Sequence, residues 1–75
     1  MYFSYDPNGD GYLEHTTEEE AKKFAQAALE YERDEAMNEG WDENVENICW
    51  GRIIGRTVQK EQVYIDDVDY ELKEI

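Results

Sequence analysis

This sequence has a single cysteine, a single proline and a single histidine in 75 residues. Cys49 has no partner within the chain, so no intramolecular disulfide can form, which fits a reducing compartment. No apolar run approaches membrane-spanning length. The start, Met1-Tyr2-Phe3-Ser4-Tyr5-Asp6, shows no basic stretch followed by an apolar one, so no secretory leader is expected. His15 has no cysteine or second histidine at ligand spacing, which argues against a zinc site. No glycine-rich phosphate loop, serine elbow or lysine signature occurs, and no catalytic residue is assigned. There is no repeat and no linker, so residues 1–75 are expected to form one domain.

Bases are also scarce. Seven Lys and Arg face twenty Asp and Glu, for a formal net charge of −13. Such self-repulsion favours solubility and opposes compaction. It argues against direct binding to nucleic acid or to an anionic membrane, both polyanions. A basic protein surface or a cation is the complementary partner. The acids are unevenly spread: residues 18–46 hold eleven acids and three bases, whereas residues 47–60 hold Arg52, Arg56 and Lys60 and no acid.

What is plentiful is aromatic and β-branched character. Two Trp, six Tyr and two Phe are enough for a small core, and a hydrophobic content of 40% supports a folded state. A chain this short has a thin stability margin. Asp6-Pro7-Asn8-Gly9-Asp10-Gly11 carries Asn-Gly, Asp-Gly and the proline, and predicts a β-hairpin turn between residues 2–5 and 12–16. The same segment follows the opening of an EF-hand loop, with oxygen ligands Asp6, Asn8 and Asp10 at loop positions one, three and five and Gly11 at position six. The match stops there. Thr17 stands where the bidentate Glu belongs, and five residues are too few for an entering helix. A polar turn is therefore expected, with calcium binding as a third functional reading and no cofactor assigned.

Thr17-Glu18-Glu19-Glu20 is a capping box and predicts a helix over 17–38 ending at Gly40 in a left-handed cap. Glu18–Lys22 and Glu19–Lys23 have the spacing of favourable pairs. Ala21, Phe24, Ala25, Ala28 and Leu29 form its apolar stripe, with Tyr31 and Ala36 at the edges. Glu32 falls on that stripe and Glu35 beside it. The simpler expectation is that the helix overhangs the sheet there and both acids are solvated. The alternatives are pairing with Arg52 or Arg56, or membership of a partner surface. Trp41 is expected to pack back on the helix end, and residues 42–45 to make a short turn.

Ile48 to Val58 reads as a strand, because Ile, Trp, Thr and Val favour the pleat while Gly51 and Gly55 disfavour a helix. Trp50 is expected in the core and Cys49 as a buried thiol, with a bulge near Ile53-Ile54 able to change the inward face. Val63 and Ile65 suggest another extended piece, Asp66-Asp67 a turn, and Tyr70 and Leu72 a final strand. The expected fold is α+β: one long helix packed on a mainly antiparallel sheet, in the order β-β-α-β-β.

The pattern Thr17-Glu18-Glu19-Glu20-Ala21, Ala25, Ala28-Leu29, Arg33-Asp34-Glu35-Ala36, Gly40-Trp41, Val45, Ile48-Cys49-Trp50-Gly51 resembles a group of small acidic phage and prophage proteins. That resemblance covers most of the chain and implies a setting, the bacterial cytoplasm and an accessory gene of a mobile element. Such genes often encode small inhibitors of host defence, including anti-CRISPR proteins and acidic DNA mimics. It carries over no functional residue.

The expected function is non-enzymatic binding, as an inhibitor that occupies a basic, nucleic-acid-binding surface of a host protein or complex. Duplex DNA carries one charge per ~1.7 Å of axis, and a helix displays acids at comparable intervals. The expected contact residues are Glu30, Asp34, Glu35, Glu39, Asp42, Glu43 and Glu46. The alternative is a structural or regulatory phage protein acting as a homodimer, through an exposed sheet edge or the Trp50–Ile54 segment.

Overall fold

A computed structural model describes residues 1–61 and 68–75 of the chain. The expected pieces at Val63, Ile65 and Asp66-Asp67 lie outside the described residues. The first two strands, β1 (Tyr2–Asp6) and β2 (Gly11–His15), form the predicted hairpin, with Tyr5 opposite Tyr12 and Asp6 opposite Gly11. The turn closes through Gly9 N donating to Asp6 O at 3.3 Å, and the Asp6 carboxylate accepts from Asn8 N at 3.2 Å. Gly11 takes φ +70°, a value that a side chain disfavours, which explains glycine at the strand entry.

The helix α1 spans Glu18–Glu39. Thr17 is its N-cap, and its hydroxyl accepts from Glu20 N at 3.2 Å. The reciprocal half of the capping box is replaced: the Glu20 carboxylate meets His15 Nδ1 at 3.3 Å. At the far end Gly40 has φ +81° and ψ 171° and donates to Ala36 O at 3.0 Å. The φ is positive as predicted, but ψ is extended, so the chain leaves the helix straight instead of curling into a left-handed cap. Among the described residues, neither Glu18–Lys22 nor Glu19–Lys23 closes to ion-pair distance; the ion pair on α1 is Glu30–Arg33 at 2.7 Å.

After a 3-10 turn at Val45–Asn47, the expected 48–58 strand is broken. β3 (Cys49–Arg52) joins the hairpin and β4 (Gly55–Gln59) leaves it. Ile53-Ile54 is the joint, which corrects the expected bulge. Among the described residues the result is two antiparallel sheets instead of one. The first has the order β2-β1-β3; the second pairs β4 with β5 (Tyr70–Glu74). The α+β class stands, while the single-sheet β-β-α-β-β order does not.

The helix packs on β1 and β3 and, less, on β2. Alanine allows the close approach: Ala21 and Ala25 are the buried apolar side chains, and Ala28 and Leu29 are half-buried. Trp50 lines a groove with Ala25 and Leu29 but is 39% exposed, so it sits at the margin and not in the core that was expected. Cys49, on the opposite parity, is exposed, which corrects the buried thiol. On that outer face Phe3 stacks on Tyr12 with centroids 5.9 Å apart, and the Phe3 ring fills the space a side chain on Gly51 would need.

The layer beneath α1 is partly polar. Ser4 and His15 are each 4% exposed. Ser4 Oγ and His15 Nε2 share a 2.7 Å hydrogen bond, His15 Nδ1 faces Glu20, and Phe24 covers the imidazole at 4.7 Å between centroids. A proton on Nδ1, directed to the carboxylate, leaves Nε2 to accept from the Ser4 hydroxyl. Among the described residues, no buried side-chain nitrogen or oxygen lacks a hydrogen-bond partner, as a low-dielectric layer requires.

Candidate functional site

The stripe that faces the sheet between Ala21 and Leu29 continues past the sheet as Glu32, Glu35 and Glu39, three and four residues apart on one helical face. The extended exit at Gly40 then carries Trp41, Asp42 and Glu43 alongside. Together with Asn8 of the hairpin turn and Tyr31, these residues enclose an open cleft of about 480 Å³. Four of the seven expected contact residues line it: Glu35, Glu39, Asp42 and Glu43. The other three lie elsewhere. Glu30 is held by Arg33 at 2.7 Å and by Gln26 at 2.9 Å, Asp34 is exposed outside the cleft, and Glu46 borders the separate groove beside Trp50.

Asn8 ties the two walls together. Its Nδ2 donates to Asp42 Oδ1 at 2.9 Å and lies 3.5 Å from Glu32 Oε1. Asp42 also accepts from Asn44 N at 2.8 Å. These bonds, the Asn44 amide first and the Asn8 side chain second, hold the Asp42 carboxyl below the usual carboxylate range. On the other side of the helix, Arg33 and then Gln26 lower Glu30 in the same way.

Glu32 is 7% exposed, which corrects the expectation of a solvated side chain. It does not pair with arginine either. Arg56 binds Glu14 in the first sheet, and Lys60 binds Asp69 at 3.2 Å. Among the described residues, no Lys or Arg lies within ion-pair distance of Glu32, Glu35, Glu39, Asp42 or Glu43. The cleft therefore keeps its negative charge, with one carboxylate buried at its base.

In the hairpin turn the Asn8 side-chain nitrogen faces Asp42 and Glu32, and the Asp6 carboxylate accepts from the Asn8 backbone amide. Among the described residues, no group of three or more His, Cys, Asp or Glu side chains is placed to hold a metal ion.

Ser4, His15 and Glu20 follow the hydroxyl–imidazole–carboxylate order of a nucleophile, base and orienting acid. The sequence held no signal for this grouping, because a cross-strand diagonal and a helix cap create it. Its setting is that of a core network. Ser4 lies in the central strand of the first sheet, paired with β2 on one side and β3 on the other.

No family model matches the sequence, and no curated protein or solved structure is significantly similar to it. Among the described residues, no helix is long and apolar enough to cross a membrane.

Proposed function

We propose that this chain is a non-enzymatic binding protein, an inhibitor whose acidic cleft and adjoining helix occupy a basic, nucleic-acid-binding surface on another protein. The observation that carries the reading is the cleft's uncompensated charge: five carboxylates, one of them buried, with the nearby arginines and Lys60 committed elsewhere or out of reach. A guanidinium or ammonium entering there meets several carboxylates at once, in a concave site where screening is weaker than on an open surface. Tyr31 and Trp41 at the rim offer flat faces for an arginine. Long-range attraction to a chain of net charge −13 speeds encounter.

A pull-down from bacterial lysate at low and high salt tests the reading. The expected outcome is capture of a basic protein that is lost at high salt. Capture should also be lost when Glu35, Glu39, Asp42 and Glu43 are changed together to their amides. The same change at Glu18 and Glu19 should leave it intact. Binding indifferent to salt, or equally sensitive at both ends of α1, would contradict the cleft.

A second reading, a homodimer that serves as a structural or regulatory component, draws on the second sheet. Both of its strands are exposed along nearly their whole length.

A further inference from the structure

An isolated two-stranded ribbon is marginal in water. The β4–β5 ribbon is such an element, and α1 covers the other sheet. Its apolar side chains are open: Leu72 is 83% exposed, and Ile54, Tyr70 and Ile75 are each more than half exposed. The molecule is correspondingly drawn out, with extents of 60 × 23 × 15 Å and a radius of gyration of 17.5 Å. A compact chain of this length has a radius of about 11 Å. Its accessible surface is 6184 Å², against about 4,800 Å² for a compact protein of 8.9 kDa. The difference exceeds the roughly 800 Å² that each partner contributes to a standard interface.

The ladder fixes which backbone groups are free. Lys60 N donates to Asp69 O at 2.9 Å and Ile75 N to Ile54 O at 3.2 Å. With the observed register, the amides and carbonyls of Asp69, Glu71, Lys73 and Ile75 therefore face β4, and those of Tyr70, Leu72 and Glu74 face outward. Among the described residues no strand pairs on that edge.

We propose that the outward edge of β5 pairs antiparallel with β5 of a second copy, with Leu72 opposite Leu72 across a two-fold axis, making one four-stranded sheet from two ribbons. The proposal rests on the homodimer reading and supplies its interface. The register follows from the edge itself. Outward groups at 70, 72 and 74 meet their counterparts when Leu72 faces itself, which sets Tyr70 against Glu74 and Glu71 against Lys73 of the second copy. Glu71 and Lys73 then fall at the closely spaced non-hydrogen-bonded positions, where cross-strand side chains interact most closely.

Charge agrees at each step. Within one chain Lys73 stands opposite Arg56, a like-charge pair, and Glu71 stands opposite Val58. The second copy gives both charges a partner. The pieces 54–60 and 69–75 hold three bases and three acids, so the repulsion of a chain at −13 is not concentrated at this junction. The outer edge of β4 does not offer this match, because a strand centred on Thr57 would set Arg56 against Val58.

Sedimentation equilibrium over a wide concentration range tests the pairing. The chain is expected to show twice its monomer mass of 8.9 kDa at high concentration and to dissociate on dilution. Leu72→Pro removes an outward amide that the intrachain ladder does not use, so it should leave a folded monomer. Glu71→Lys alone should weaken the dimer about tenfold, since the altered contact occurs twice. Lys73→Glu alone should weaken it similarly while relieving the repulsion with Arg56 and raising the melting temperature of the monomer. The double change restores the cross-copy pairs and should restore the dimer. A dimer that ignores all four variants would overturn the β5 edge and leave the homodimer reading standing. A monomer at every concentration would overturn both.

Discussion

The Glu32 carboxylate sits 7% exposed beside a neutral amide 3.5 Å away, with Glu35 and Glu39 one and two turns further along the same face. Among the described residues, no Lys or Arg lies within ion-pair distance of it. Glu32→Gln keeps the shape and a hydrogen-bonding group while removing the charge. It should weaken capture of a basic partner, measured by pull-down at low salt, while leaving the fold intact. Asp42 behaves differently because donors hold it. Its folded pKa lies below the unfolded one, so its contribution to stability is complete above the unfolded value and disappears as pH falls through the folded value. Carbon-detected NMR titration should find its midpoint below the ordinary aspartate range. Asn8→Ala should move that midpoint up without restoring it fully, because the Asn44 amide is the larger cause. The helical period placed Glu32 on the apolar stripe and Glu35 beside it from sequence alone. Whether Glu32 was solvated depended on Asn8, which is distant in sequence and carries no local signal for reaching Asp42.

Both ends of α1 were legible because capping is local. Thr17 and Gly40 stand at the boundaries, and each meets its helix within four residues. Thr17→Ala should cost about 1 kcal/mol and lower the melting temperature by about 4–8 °C, as seen in a thermal melt by circular dichroism. Glu20 was the exception, since the buried imidazole of His15 competes for its carboxylate more effectively than an exposed cap amide does. The strand beyond Ile48 was legible in composition but not in connectivity. Ile53-Ile54 has the same β propensity as its neighbours. β3 ends with Arg52 opposite Tyr2 and Ile53 N donating to Met1 O at 2.9 Å, and from Gly55 the chain pairs with β5. That change of partner is made by tertiary contact and is absent from local pattern.

The whole molecule separates its charges. One end holds a helix running beyond its sheet into a cluster of unpaired carboxylates, and the other holds a charge-balanced ribbon. Composition alone revealed the acidic and basic segments of the chain, because charge is additive along the sequence. It could not reveal which acids converge, because that depends on the straight exit at Gly40 and on the hairpin turn folding over Glu32. The most direct test is to map an arginine-rich peptide onto the isotopically labelled chain by NMR at low salt. The largest shifts should fall on Glu35, Glu39, Trp41, Asp42 and Glu43 and vanish as salt is raised. Shifts spread evenly along α1, or centred on Glu18 and Glu19, would contradict a cleft built to receive a cationic partner.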